Sequence, residues 1–203
     1  MSAEPDVVII DSGGANLASL RYALDRLGAR SQVSADAERI GTAPRVLLPG
    51  VGAAADAMAR LRARGLDRAI PRLRAPLLGI CLGMQLLFEH SAEGDTACLG
   101  IVGGRIERLI PAPGKPVPHM GWNTLSIQRA DPLLDGLAAS DRLYFVHGFA
   151  ATVGTSTLAA VEYGGALSAA IRSGNFFGVQ FHPERSSVAG ARVLKNFLSL
   201  PCS

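Results

Sequence analysis

Along the first ninety residues, short unbroken apolar runs alternate with stretches whose apolar residues recur at helical spacing. Val7-Val8-Ile9-Ile10, Arg45-Val46-Leu47-Leu48 and Leu77-Leu78-Gly79-Ile80 are runs of the kind a strand shows when both its faces are covered. Each ends at a glycine-containing turn, at Asp11-Ser12-Gly13-Gly14, Pro49-Gly50-Val51-Gly52 and Cys81-Leu82-Gly83. Leu17, Leu20, Leu24 and Leu27 predict a helix over about 16–27, closed by Gly28. Further helices are predicted over roughly 53–64, ended by Gly65, over 66–73, and over 82–88, with a short strand at 31–33. This alternation predicts an α/β chain with a central, mostly parallel sheet flanked by helices.

After His90 the pattern changes. A polar loop is predicted over 91–98 and a Pro-rich one over 111–118. Strands are predicted over 101–110, 123–127, 143–146, 158–163, 166–171 and 176–181, and a closing helix over 187–200. The C-terminal half is therefore strand-rich. No internal repeat or linker interrupts the sequence, so residues 1–203 are expected to form one domain.

Composition narrows the function classes. Apolar residues make up 48% of the chain, enough for a full core. The charge of +3 is mildly basic, and the arginines are scattered without interleaved aromatics, so nucleic-acid binding is not indicated. Cys81, Cys98 and Cys202 show neither paired nor metal-ligand spacing, which argues against a disulfide framework or a metal site. No stretch has the length of a membrane span or the pattern of a signal, and a cytoplasmic location is the expectation.

Chemistry concentrates at Gly79-Ile80-Cys81-Leu82-Gly83, which has the nucleophile-elbow pattern with sulfur in place of oxygen. At a strand-to-helix turn, Cys81 would lie at a helix N-terminus, whose partial positive charge favours thiolate. The Leu82 N–H would point at an oxyanion formed on a carbonyl that Cys81 attacks. Gln85 is one helical turn beyond Cys81, on the same face. A buried structural cysteine is the competing reading, and a partner base must decide between the two.

Phe177-Gly178-Val179-Gln180-Phe181-His182-Pro183-Glu184 alternates with period two and sets Gln180 and His182 on one side. Extended geometry continued through Pro183 returns Glu184 to the side of His182. A carboxylate there fixes the imidazole tautomer and leaves the other nitrogen to exchange a proton with Cys81. A surface histidine beside an unrelated glutamate is the alternative. His90, His119 and His147 lack this local arrangement. The loop Gly50-Val51-Gly52 can present backbone N–H groups to an anion and is read as the second half of an oxyanion hole, supplied by Val51 or Gly52. Gly50-x-Gly52-x-x-Ala55 also fits a dinucleotide fingerprint formally, but the next buried strand ends at Cys81 and not at an acidic residue for a ribose. No cofactor is therefore expected.

Taken together, Gly79-Ile80-Cys81-Leu82-Gly83-Met84-Gln85, Leu48-Pro49-Gly50-Val51-Gly52 and Gly178-Val179-Gln180-Phe181-His182-Pro183-Glu184 resemble the three spaced motifs of the class I (triad) glutamine amidotransferases. Within that class the chain is most similar to glutaminase subunits of imidazole glycerol phosphate synthase, through Pro118-His119-Met120-Gly121-Trp122-Asn123, Tyr144-Phe145-Val146-His147 and Glu162-Tyr163-Gly164-Gly165. The resemblance extends over essentially the whole chain. It implies the class I glutamine amidotransferase fold and glutamine hydrolysis through a Cys81 thioester, with His182 as base and Glu184 as its orienter. It further implies substrate contacts from Gly50, Gln85 and Ser186. Ammonia would pass to a (β/α)8-barrel cyclase subunit in a heterodimer of histidine biosynthesis, and activity would be weak until that subunit binds its ligand. Asn16, His119, Trp122 and Tyr144 are expected at or near the partner. Asn16 reads equally as a helix N-cap, and His119, Trp122 and Asn123 as core. Ser12 and Gly148-Phe149 depart from residues usual in the family, and the resemblance puts both near the synthase-facing surface. A docking subunit without catalysis and a free-standing γ-glutamyl hydrolase are the alternatives. The intact Cys81, His182 and Glu184 argue against the first, and the 118–123 segment against other enzymes of the same fold.

Overall fold

The computed structural model describes residues 4–12 and 17–201. The chain opens with strand β1 (Val7–Ile10), helix α1 (Leu17–Arg26), β2 (Ser31–Ser34), α2 (Ala37–Gly41), β3 (Val46–Gly50), α3 (Ala54–Ala63), α4 (Leu66–Ala69) and β4 (Leu77–Cys81). Helix α5 (Leu82–Gln85) follows without a break, then β5 (Phe88–Ser91), β6 (Thr96–Ala97), β7 (Val102–Arg108), β8 (His119–Asn123), β9 (Ser126–Ile127), β10 (Leu143–His147) and β11 (Phe149–Ala150). Strands β12 (Thr157–Glu162), β13 (Ala166–Ser173) and β14 (Phe176–Val179) lead to the last helix, α6 (Ser187–Leu198).

Among the described residues the main sheet has eight strands in the order β2-β1-β3-β4-β14-β13-β12-β9. Pairings from β2 through β14 are parallel. The remaining three, out to β9, are antiparallel. Val7 and Ile9 of β1 face a core shared with Leu20 and Leu24 of α1 and with Val193, Leu194 and Phe197 of α6. Val8 and Ile10 face the opposite core, with Met58 and Leu61 of α3 and Leu66 of α4. Burial on both faces is why these strands are unbroken apolar runs. The strands outside the main sheet form a four-stranded sheet, β11-β7-β5-β6, and a two-stranded ribbon of β8 and β10.

Several elements differ from the sequence expectation. The helix predicted over 82–88 stops after one turn. The carbonyls of Leu86, Leu87 and Phe88 are taken by the backbone N–H groups of Leu99, Ile101, Val102 and Gly100, and Phe88 begins β5. The strand predicted over 123–127 is broken between β8 and β9, where Asn123 Oδ1 accepts from the Thr124 N–H at 2.9 Å. Pro71 converts the second half of the 66–73 helix into a 3₁₀ turn. Helix α2 was not predicted. Asp36 caps it and Ile40 is its one buried residue, too little for a visible period.

Candidate active site

Strand β4 runs straight into Cys81, which stands at φ 54° and ψ −112°. L-residues seldom adopt a positive φ, and holding one there needs support from the surroundings. Close backbone packing supplies it. A Cβ on Gly83 would lie 1.7 Å from the Leu48 carbonyl oxygen, and one on Gly79 would lie 2.6 Å from the Gly83 oxygen. A Cβ on Gly50, the residue paired with Cys81 in the sheet, would lie 2.9 Å from the Gly83 nitrogen. Glycine at these three positions lets β3, β4 and the first turn of α5 meet backbone to backbone. Leu82 is the first residue of that turn.

Across the parallel pair β4–β14 the chain brings His182 to the same end of the sheet. Its Nδ1 and Glu184 Oε1 are 2.8 Å apart. The extended path predicted through Pro183 is not the route. Strand β14 ends at Val179 and Pro183–Arg185 is a 3₁₀ turn, so the contact is made by a tight turn instead. The His182 backbone N–H donates to the Tyr144 carbonyl at 2.9 Å. Ser186 Oγ donates to the His182 carbonyl at 2.6 Å and accepts from the Tyr144 N–H at 2.9 Å. Ser186 is fully buried and stands outside the cavity lining, so its place is that of a brace between His182 and β10, not a substrate contact. Burial opposes charge on His182. The Cys81 side chain, a hydrogen-bond partner, and the Glu184 carboxylate outweigh that and raise its pKa to about 10. At neutral pH the imidazole is thus held protonated, facing sulfur.

Cys81, His182 and Glu184 open onto one cavity of about 420 Å³, a size suited to a small molecule. Gly50, Val51, Gly52 and Leu82 form part of its wall. Gly52 has φ 89°, so the loop turns sharply there, and Val51 is exposed. Gln85 also reaches the cavity, but its Nε2 is committed to the Phe149 carbonyl at 2.8 Å and to Gln180 Oε1 at 2.9 Å. Only its oxygen is left for a ligand. Glu93, in the polar loop predicted over 91–98, lines the cavity and accepts from the Ala54 N–H at 2.8 Å. Nothing in its local pattern marks it, because β5 and α3 bring it there from different parts of the chain. Among the described residues no group of three or more His, Cys, Asp or Glu is arranged to hold a metal ion.

Ser12 is not at a surface. It is buried, and its hydroxyl donates to the Pro49 carbonyl at 2.8 Å, at the root of the Gly50–Gly52 loop. Arg60 of α3 holds the Ser12 carbonyl in turn, at 2.6 Å. Asn16 lies outside the described residues. The β8–β10 ribbon is amphipathic: His119, Leu143, Phe145 and His147 point inward, and Met120, Trp122, Tyr144 and Val146 point outward. Tyr144 is directly opposite Trp122, and Val146 opposite Met120. His119, expected near a partner, is instead buried, stacked between Phe145 and Tyr163 at ring-centroid distances of 4.9 and 3.8 Å.

The chain matches the model of the family described as glutamine amidotransferase class-I over residues 8–200. It is 55% identical over 195 residues to the imidazole glycerol phosphate synthase subunit HisH of Xanthomonas campestris pv. campestris (strain 8004), covering 96% of this chain and 98% of that protein. Against the HisH subunit of Xylella fastidiosa (strain Temecula1 / ATCC 700964) the identity is 53% with the same coverage. Among solved structures, a glutamine amidotransferase superposes with a TM-score of 0.73 at 21% identity, over 95% of this chain and 96% of that one. PurLQS from Thermotoga maritima superposes at 0.66 and 20% identity, over 97% and 98%. At these identities the two structures speak for the fold, and the HisH relatives carry the closer assignment. The chain therefore belongs to the class I glutamine amidotransferase family, and within it to the HisH subunits of imidazole glycerol phosphate synthase.

Proposed function

We propose that the chain hydrolyses glutamine to glutamate and ammonia at Cys81, and that the ammonia passes to a cyclase subunit for histidine biosynthesis. The observation that carries the proposal is the linked set of Cys81 on its strained turn, His182 against the sulfur, and Glu184 Oε1 at 2.8 Å from His182 Nδ1, all opening on one cavity.

In this reading glutamine lies with its side-chain amide over Cys81. The thiolate attacks the amide carbon, the C–S bond forms, and the carbonyl electrons move onto oxygen. The N–H groups of Leu82 and of Val51 or Gly52 hold that oxyanion. Losing one such donor costs about 2.7–4 kcal/mol of transition-state stabilisation. As the C–N bond breaks, the imidazolium of His182 gives its proton to the departing nitrogen, and ammonia leaves. Neutral His182 then takes a proton from water as it adds to the thioester. The C–S bond breaks, the electron pair returns to sulfur, and glutamate is released. Glu184 keeps the proton-carrying Nδ1 edge turned inward and favours the charged imidazole. Glu93 and Gln85 Oε1 are acceptors on the cavity wall, suited to the substrate ammonium. Gly50 contributes by letting the wall close against the elbow.

The outward face of the β8–β10 ribbon supports the partner. Met120, Trp122, Tyr144 and Val146 form one apolar surface, and Val146 is also in the cavity wall. A cyclase docked there covers exposed aromatic surface and adjoins the site that releases ammonia. Exposed aromatics with an adjacent arginine, here Arg185 at 4.5 Å over the Tyr144 ring, are the composition of interface cores.

The test is glutamate release from glutamine by the chain alone, and by the chain with the cyclase subunit and its nucleotide ligand. The expected result is a low rate alone and a large rise with both. A high rate indifferent to the partner means a free-standing glutamine or γ-glutamyl hydrolase. Unaltered ammonia production by a complex carrying Cys81→Ala means a docking role without catalysis.

A further inference from the structure

A buried chain of hydrogen bonds leads away from the Cys81 sulfur, and of it the mechanism above uses only the Gln85 oxygen. Gln180 is fully buried, with Nε2 3.8 Å from Cys81 Sγ. Its Oε1 accepts from Gln85 Nε2 at 2.9 Å, and the same Gln85 nitrogen donates to the Phe149 carbonyl at 2.8 Å. That carbonyl also lies 2.9 Å from His147 Nδ1, and His147 Nε2 is 3.0 Å from His119 Nδ1.

Phe149 fixes the direction of every donor in this chain, because a backbone carbonyl can only accept. Gln85 must present its nitrogen to that carbonyl. Gln180 must then present its oxygen to Gln85, which leaves its N–H group aimed at sulfur. By the same logic His147 carries its proton on Nδ1, and its bare Nε2 accepts from His119 Nδ1–H. Burial lowers the pKa of both histidines to about 4, so the pair is neutral and this polarity holds at physiological pH. A buried amide with no partner is costly, so a glutamine whose two ends are both engaged is placed, not merely packed.

Besides His182, the Val146 carbonyl oxygen also lies 3.8 Å from the sulfur. It can accept from a thiol but offers nothing to a thiolate. We infer that Gln180 is a further catalytic residue, its amide N–H donating to the Cys81 thiolate, and that Gln85, anchored on the Phe149 carbonyl, is the positioning residue that keeps that N–H turned to sulfur. The inference rests on the thiolate reading of Cys81 given above. The donor steadies sulfur before attack, and again when the C–S bond of the thioester breaks and the electron pair returns to it.

The experiment compares Gln180→Leu, Gln180→Glu and Gln85→Leu with the unaltered chain, each in complex with the cyclase subunit. Carbamidomethylation of Cys81 by iodoacetamide is followed by peptide mass spectrometry at pH 7 and pH 10, and steady-state glutamine hydrolysis is measured alongside. A hydrogen bond to a charged group predicts a fall of about tenfold in alkylation at pH 7 for Gln180→Leu, recovered at pH 10. The same variant should lower kcat about tenfold with KM held within about twofold. Gln180→Glu keeps the shape and the bond from Gln85 but sets a carboxylate oxygen against sulfur, so its pH 7 alkylation falls further. Gln85→Leu moves alkylation in the same direction by less. Should Gln180→Leu fail to fold, the isosteric Gln180→Glu decides. Alkylation and kcat of the Gln180 variants equal to those of the unaltered chain would overturn the inference. An unaltered chain whose Cys81 alkylates at pH 7 no faster than an ordinary thiol would instead remove the thiolate reading beneath it.

Discussion

Glu184 Oε1 reaches His182 Nδ1 at 2.8 Å from a 3₁₀ turn that begins at the residue between them. The other carboxylate oxygen, Oε2, is buried with no hydrogen-bond partner among the described residues. The carboxylate is therefore spent on a single contact, and that contact both orients the imidazole and favours its charge. Glu184→Gln keeps an acceptor for Nδ1–H and removes the charge. The expected outcome is a fall in kcat of about 100-fold with KM little changed. The alkaline limb of the rate should also move to lower pH, since one of the groups that raise His182 to about 10 is gone. A pH–rate profile of glutamate release checks both. An alkaline limb that stays in place would mean that sulfur alone holds the imidazolium.

Helix α6 presses on the same turn through Gly190. A Cβ at that position would lie 2.0 Å from the Pro183 carbonyl oxygen and 2.7 Å from Ser186 Cβ. Gly190→Ala must push the helix off the turn and strain the Ser186 bridge between His182 and Tyr144. A loss of about 1–3 kcal/mol is expected from overpacking. Because Gly190 itself is outside the cavity wall, the accompanying loss of activity should fall on kcat. Gly103→Ala, where an added Cβ meets nothing within 4 Å, is the control. Chemical denaturation and glutaminase kinetics on both variants measure the effect.

Local pattern was enough to place β1, β3 and β4, because strands buried on both faces leave no polar residue to obscure them. It was also enough to bring Cys81, His182 and Glu184 forward, since each is flanked by residues that only special backbone geometry requires. The route from His182 to Glu184 was misread, because alternation up to Phe181 carries no information about where the strand pairing stops. Glu93 and the buried task of Ser12 were invisible for another reason. Both depend on partners 39 and 37 residues away, Ala54 and Pro49. The end of the 82–88 helix was lost in the same way, to backbone partners beyond residue 98. His119 shows that a position in a motif does not imply exposure. In β8 its neighbour Met120 faces outward, and alternation turns His119 into the core.

The neutral pair His119 and His147 sets an acid limit on stability. Each has a folded pKa of about 4, against an ordinary value of 6.5, through burial first. The unfolded chain therefore takes up protons at a higher pH than the folded one. The contribution of this pair is complete above about pH 6.5 and is lost progressively as the pH drops towards 4. A contribution of about 2 kcal/mol from His147 is expected across this window. Denaturant midpoints at pH 7.5 and pH 4.5 for the unaltered chain and for His119→Phe test it. The variant should be less stable at pH 7.5, because His147 Nε2 loses its donor, and should show a shallower fall on acidification. Parallel curves would mean that acid instability arises elsewhere.

Trp122 and Tyr144 stand edge to face across the ribbon, ring centroids 5.7 Å apart, with Trp122 about half exposed. The pair is fixed by its strands before any partner arrives, so little side-chain freedom is lost on docking. Pre-ordered aromatics at the centre of an interface are the usual hot spots, with truncation costing 2 kcal/mol or more. Trp122→Ala is therefore expected to weaken cyclase binding by about 30-fold at least. Calorimetric titration of the cyclase subunit reads this directly. The glutaminase rate at saturating cyclase separates docking from chemistry. Recovery there assigns Trp122 to affinity, whereas a rate that stays low would mean that Trp122 also carries the partner's signal along β10 to Tyr144, whose backbone carbonyl accepts from the His182 N–H.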